Sequence, residues 1–282
     1  MARNARDPIV GTVVAGRFHV KRPLATGGMA AVYVARDGDG GPRVALKLLA
    51  PPRRDAERML ALMQREGEVL ASLEHPNIVR AIDHGPSGDG GYFIAMELVD
   101  GLSLTDWVRQ KVDRPLQAVP LVLQLCSALR HVHGRGLVHR DLKASNVLVS
   151  ARPHGAHVTL IDFGVAWVDD APEIDGEEHL LGGVHTSSPE QIRGEAPDVR
   201  SDIYSVGVLL FRLLAGRYPY HSKLPAEVLT QHLHSPVPEL PEAAGIPPAI
   251  RPVVTRCLQK DPDDRFPDVQ ALVEALSAAV EL

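Results

Sequence analysis

Asp141, Lys143 and Asn146 share the short stretch His139-Arg140-Asp141-Leu142-Lys143-Ala144-Ser145-Asn146, and a second carboxylate, Asp162, follows in Ile161-Asp162-Phe163-Gly164. These residue types at this spacing suit phosphoryl transfer from a nucleotide. One carboxylate takes the proton of an incoming hydroxyl. A second carboxylate and an amide oxygen hold a hard divalent cation against phosphates, since magnesium takes oxygen ligands. A lysine two residues past the first carboxylate neutralises charge on the group in flight. Alone, His-Arg-Asp is also an ordinary polar turn between a helix and a hairpin. The order of the surrounding segments raises it above that.

The stretch resembles the catalytic loop of eukaryotic-type protein kinases, in the Asp-Leu-Lys-x-x-Asn form of the serine/threonine branch. The resemblance implies Asp141 as base and orienter, Lys143 as support for the transition state, and Asn146 and Asp162 as metal ligands. It also implies Arg140 as the partner of an activating phosphate, and ATP with Mg2+ or Mn2+ as cofactors.

The elements that must position these groups can be read along the chain. Alternating and β-branched runs predict strands at Phe18-His19-Val20, 31–35 and 44–48. Between the first two lies Leu24-Ala25-Thr26-Gly27-Gly28-Met29-Ala30-Ala31-Val32-Tyr33, a Gly-rich turn whose amides can approach phosphate oxygens. With Val32 and then Val44-Ala45-Leu46-Lys47 behind it, the order resembles the kinase glycine-rich loop and its phosphate-binding lysine. Two family glycines are Ala25 and Ala30 here. A methyl at either need not clash unless φ is positive, so a stiffer nucleotide clamp is expected.

A helix is expected over 55–73. Met59, Met63, Glu66, Leu70 and Leu73 recur at helical spacing, which turns Glu66 inward and Glu68 outward. Glu66 is therefore the expected partner of Lys47. Gly67 in mid-helix costs about 1 kcal/mol relative to Ala and suggests an easily shifted helix. Strands near 79–83 and 92–97 follow. Met96-Glu97-Leu98-Val99-Asp100-Gly101 resembles the hinge of the family, with Met96 at the gatekeeper position and the backbone of Glu97 and Val99 on the adenine edge. Helices over 103–111 and 118–133 then end at Gly134 and Gly136, and Leu148 is expected as the floor of the adenine pocket.

The segment from Asp162 to Glu190 corresponds to the activation loop. It carries no Ser, Thr or Tyr over 165–185 and is acidic instead, with Asp169, Asp170, Glu173, Asp175, Glu177 and Glu178. Two readings stand: a solvated, partly disordered acidic loop, or one of these carboxylates replacing the phosphate partner of Arg140. Aligned on Pro189-Glu190, the threonine that in the family bridges the catalytic aspartate and lysine is Gly183, and the tyrosine position is Thr186. Glu190 is expected to pair with Arg265 as a structural ion pair. Asp202 is expected near the start of an apolar helix over 201–215 as its cap, and the resemblance implies that it braces the catalytic loop backbone. Further helices are expected near 226–234, 249–258 and 267–281.

Bulk composition bounds the rest. The chain has 282 residues, 45% hydrophobic and 23% charged, with net charge −5 and pI ≈ 6.2, which gives no basic footprint for nucleic acid. Arginine outnumbers lysine 24 to 6, so Lys47 and Lys143 stand out. Cys126 and Cys257 lack metal-type spacing and read as buried thiols of a reducing compartment. The longest apolar runs, such as 206–211, are too short to span a bilayer, and a cytoplasmic location without membrane contact is expected.

The resemblance covers 17–278 and looks most like bacterial serine/threonine kinases. It implies a bilobal α+β fold. A mobile lead-in over 1–16 would precede a small β-rich lobe with one regulatory helix over 17–97 and a larger helical lobe over 98–282, with ATP between them. Protein Ser/Thr hydroxyls are the implied substrates, and a homodimer through the small lobe is the oligomer the family offers. Two rival readings stand beside it. An aminoglycoside-kinase-type phosphotransferase shares His-x-Asp…Asn…Ile-Asp-Phe, but Lys143, Pro189-Glu190 and the 201–215 helix oppose it. A nucleotide-binding pseudokinase is suggested by Ala25, Ala30 and Gly183 and opposed by Lys47, Asp141, Asn146 and Asp162.

Overall fold

The computed structural model describes residues 7–26, 30–49, 56–88, 90–110, 114–163, 183–242 and 246–280. The chain divides into two compact units, Met1–Asp100 and Gly101–Leu282, slightly beyond the boundary expected at 97.

In the first unit, the strands are β1 (Val13–Val14), β2 (Phe18–Thr26), β3 (Ala30–Asp37), β4 (Arg43–Leu49), β5 (Ala81–Pro86) and β6 (Tyr92–Glu97), with one helix, α1 (Ala56–Ser72). They form an antiparallel sheet in the order β1-β2-β3-β4-β6-β5. The period of two divides its faces. Phe18, Val20, Tyr33, Ala35, Val44, Leu46, Leu48, Phe93 and Ala95 build the core on one side. Val32, Ala45, Lys47, Ile94 and Met96, one residue out of step, therefore share the other side. The register aligns Val32 with Lys47 and Lys47 with Ile94, while Ala45 sits opposite Met96.

The lead-in expected to be mobile over 1–16 is instead structured from Asp7 onward. Val13–Val14 pairs with Phe18 and His19, and the Tyr33 hydroxyl donates to Asp7 at 2.9 Å. Burial, aided by that carboxylate, pushes the Tyr33 phenol up to about 12. A two-residue strand carries no periodicity, so local pattern does not reveal it.

On α1, Met63, Glu66 and Leu70 are buried and Glu68 is exposed. Gly67 has a packing reason rather than the loosening role expected for it. A Cβ there would lie 2.9 Å from the His84 ring, and that ring is held by the Tyr92 hydroxyl at 2.7 Å. The helix approaches β5 more closely than any side chain permits.

The second unit contains β7 (Leu102–Ser103), β8 (Val147–Arg152) and β9 (Gly155–Leu160) in one small sheet. Its helices are α2 (Leu104–Arg109), α3 (Arg114–His133), α4 (Pro189–Arg193), α5 (Val199–Ala215), α6 (Pro225–His234), α7 (Ile250–Cys257) and α8 (Val269–Val280). The residues of α5 from Ser201 to Leu214 are all buried, as expected of a helix that is apolar on every side. Helices α3, α7 and α8 pack around it. The cap of α5 is Asp198, whose carboxylate accepts from Arg200 N at 2.7 Å. Asp202, expected as the cap, sits inside the first turn because the helix begins at Val199. Cys126 and Cys257 are free and buried; burial raises both thiols, Cys126 up to about 12. Among the described residues no helix is long and apolar enough to cross a membrane.

Candidate active site

In the first unit, the Lys47 ammonium lies 2.6 Å from Glu66 Oε1 and 2.7 Å from Oε2. The pair follows from two periods meeting: the alternation of β4 turns Lys47 off the core face, and the helical stripe of α1 turns Glu66 inward. The Glu66 side chain is 6% exposed, so its charge is held largely out of water and balanced by Lys47. Ala45, Met96 and Val32 flank Lys47 on the same face of the sheet. Ala25 pairs with Val32 and Thr26 with Ala31 on the neighbouring strand, while Leu24 is exposed. Ala25 and Ala30 are both outside the positive-φ residues, so their methyls sit in extended backbone without strain. Glu97 is tied to Arg80, accepting its amide at 3.1 Å and donating its own to the Arg80 carbonyl at 3.0 Å. Val99 is half-buried. Gly27 and Gly28 lie outside the described residues.

In the second unit, the loop after α3 gathers the acid, lysine and amide. Asp141 Oδ2 accepts from Lys143 Nζ at 2.5 Å and from Asn146 Nδ2 at 3.4 Å. Asn146 Nδ2 also donates to the Asp141 carbonyl at 3.2 Å. Asp141 Oδ1 accepts no hydrogen bond among the described residues. Asn146 and Asp162 are brought together by the β8–β9 hairpin: Val147 pairs with Leu160, and Ile161 N donates to the Asn146 carbonyl at 2.9 Å. Leu148 is half-buried on β8, between Ser103 and Thr159. The rings of His139 and Phe163 sit 5.0 Å apart.

The loop is held from beneath by a residue far along the chain. Asp202 Oδ2 accepts from His139 N at 2.9 Å, and Oδ1 accepts from Arg140 N at 2.9 Å. His133 Nε2 completes the carboxylate at 2.7 Å. Burial works to raise this carboxyl, but His133 and His139 outweigh it and hold it below its ordinary value. Arg140 adopts φ 65°, a conformation that a non-glycine residue keeps only when its surroundings enforce it. One enforcer was not legible as a site residue: Gln191 Nε2 donates to the Arg140 carbonyl at 2.8 Å. His133 was also missed, because nothing local in sequence couples 133 to 202.

A family model described as protein kinase domain matches residues 18–276. This chain belongs to the protein kinase domain family. Over 277 residues the domain is 39% identical to the serine/threonine-protein kinase pkn2 of Myxococcus xanthus, covering 95% of this chain and 33% of that protein. It is 31% identical over 275 residues to the serine/threonine-protein kinase PrkC of Bacillus subtilis, covering 97% of this chain and 42% of that protein. The chain thus spans less than half the length of these curated relatives. The crystal structure of the Mycobacterium tuberculosis PknI kinase domain superposes with a TM-score of 0.70 at 28% identity, over 96% of this chain and 98% of that one.

The kinase domain's Pro189-Glu190 segment is anchored as its sequence suggested. Arg265 Nη1 and Nη2 each donate to Glu190 at 2.7 Å. The remaining Arg265 donors go to the carbonyls of Gln259, Lys260 and Arg200, so all five N–H groups of a fully buried guanidinium are used. Ser201 donates to Glu190 at 2.6 Å. Burial works to raise Glu190, but Arg265 and Ser201 prevail and keep it lowered. The acidic run at 169–178, one reading of which supplies a carboxylate partner for Arg140, and Gly164 lie outside the described residues.

Proposed function

We propose that this kinase domain transfers the γ-phosphoryl group of ATP to serine or threonine hydroxyls of proteins. The observation that carries the reading is the state of Asp141: Oδ2 is tethered by Lys143 and Asn146, while Oδ1 is left for an incoming hydroxyl. The hydroxyl oxygen bonds to the γ-phosphorus as the bond to the β–γ bridging oxygen breaks. Its proton passes to Asp141, and ADP leaves. Lys143, already on Asp141 Oδ2, offsets negative charge on the moving group. Lys47, fixed by Glu66, meets the nucleotide phosphates. Within the first unit, Val32, Ala45 and Met96 suit an adenine face and the backbone of Glu97 and Val99 its edge.

Asn146 Oδ1 and Asp162 would hold the divalent cation that accompanies ATP, Mg2+ or Mn2+. Both are hard oxygen donors, and such a cation takes only one or two protein ligands, completing its shell with water and phosphate oxygens. When bound, the cation neutralises charge developing on the phosphates. The buried free thiols support a reducing, cytoplasmic setting for the domain.

Phosphate transfer from labelled ATP to the domain itself and to mixed histones tests the reading, with Asp141→Asn alongside. Transfer by the wild type that vanishes in the variant is expected. ATP that raises the Tm without any transfer would support a nucleotide-binding scaffold instead.

A further inference from the structure

Residue 183 has no side chain, yet its surroundings accept one. A Cβ there would lie 3.5 Å from Asp141 Oδ1 and 3.4 Å from Ser187 Oγ, ordinary contact distances in both cases. Packing therefore does not demand glycine there. What glycine leaves is a methyl-sized space. The untethered oxygen of Asp141 borders it on one side and the Ser187 hydroxyl on the other.

Ser187 Oγ donates at 3.0 Å to the Gly183 carbonyl. That carbonyl already accepts from Thr186 N at 2.8 Å and Ser187 N at 3.0 Å. Two amides fill its two lone pairs and Thr186 Oγ1 also donates to it at 3.4 Å, so the serine hydroxyl is a surplus donor that the turn can lose. A rotation about the Ser187 Cα–Cβ bond redirects it at little cost.

We infer that Ser187 is a positioning residue for the phosphoryl transfer proposed above. Its hydroxyl enters the space left by Gly183 and donates to Asp141 Oδ1. With Oδ2 held by Lys143 and Asn146, a donor on Oδ1 fixes the carboxylate plane. A carboxylate oxygen offers two lone-pair sites, so one remains for the incoming hydroxyl. Gly183 and Ser187 then form one device: the missing side chain at 183 is what lets the serine reach. A hydroxyl carried by residue 183 itself would make Ser187 dispensable.

The inference rests on the kinase reading, and the experiment separates the two. Steady-state transfer to mixed histones is measured for wild type, Ser187→Ala, Ser187→Thr, Gly183→Thr and the Gly183→Thr/Ser187→Ala double variant, with the Tm of each. Ser187→Ala is expected to lower kcat about tenfold, the worth of one charge-assisted hydrogen bond, with KM for ATP and Tm unchanged. Ser187→Thr keeps kcat, and Gly183→Thr restores it in the Ser187→Ala background, giving a strongly non-additive cycle. A residue that only braces the turn would lower the Tm and would not be rescued from position 183. Wild-type kcat in Ser187→Ala overturns the inference, and so does a missing rescue. Phosphate found on Ser187 of the active protein also overturns it, because that oxygen can no longer donate. No transfer by the wild type removes the kinase reading and the inference together.

Discussion

The amide of Gln191 and the carbonyl of Arg140 meet at 2.8 Å across 51 residues of chain. The contact ties the helix after Pro189 to the one strained residue of the catalytic loop. Gln191 Oε1 in turn accepts from Ser188 N and Ser188 Oγ, each at 3.0 Å, so its side chain is fixed at both ends. Gln191→Ala should free the Arg140 peptide to relax from its left-handed conformation and move Asp141. A loss in kcat of about three- to tenfold is expected, equivalent to one hydrogen bond, with KM for ATP unchanged. A wild-type kcat would show that Asp202 alone holds the loop.

Glu66 and Glu68 offer a matched comparison on one helix. Glu66 is buried against Lys47, and Glu68 is exposed. Glu66→Gln leaves Lys47 without its carboxylate, and KM for ATP should rise about tenfold, the effect of losing a charge-assisted hydrogen bond. Glu68→Gln should leave KM within error. Equal effects from both would remove the special status of the Lys47–Glu66 pair.

Arg265 tests the buried anchor of the Pro189-Glu190 segment. Arg265→Leu strands Glu190 as an uncompensated buried charge, and stability should fall by about 3–5 kcal/mol. Urea denaturation measures it. A loss under about 1 kcal/mol, the scale of exposed pairs, would mean that water reaches Glu190.

Gly207 sets two effects of opposite sign against each other. Helix propensity alone favours Gly207→Ala by about 1 kcal/mol. Within α5, however, that Cβ would stand 2.4 Å from the Cβ of Cys257, and overpacking of this kind costs about 1–3 kcal/mol. Net destabilisation is therefore expected, read as a lower Tm. A higher Tm would show that α7 moves away from α5 without strain.

Stability below neutral pH should report His232. Burial, with the Lys260 charge nearby, lowers its imidazole to about 3, and its Nδ1 meets the Tyr204 hydroxyl at 2.7 Å. In the unfolded chain the same group takes its proton near pH 6.5. The unfolded state therefore binds more protons between these values. Stability should be level above about pH 6.5 and fall toward pH 3, by at most about 1.4 kcal/mol per pH unit for one group. His185, also lowered by burial, adds with the same sign. The lowered carboxyls of Glu190 and Asp202 contribute stability above their unfolded values that is lost as pH falls through their folded ones, steepening the acid end. Denaturation across pH 4.5–7 should show a shallower slope in His232→Asn; an unchanged slope would assign the dependence elsewhere.

Much of this domain is written in local periods. The alternation through β3 and β4 places Val32, Ala45 and Lys47 on one face, and the stripe on α1 selects Glu66 over Glu68. The spacing of Asp141, Lys143 and Asn146 puts acid, cation and amide in one loop. These assignments need only a few neighbouring residues, because strand and helix geometry repeats within them. Other decisions depend on how distant elements pack. Asp202 is expected both as a helix cap and as the brace of the catalytic loop; the true start at Val199 gives the capping task to Asp198, and only packing brings His133 onto the bracing carboxylate. Gly67 reads as a weak point in a helix until His84 is brought against it. Gly183 reads as a lost side chain until Ser187 and Asp141 are seen to border the same space. No periodicity encodes such meetings, since each joins residues whose separation in sequence says nothing of their distance once helices and strands have packed.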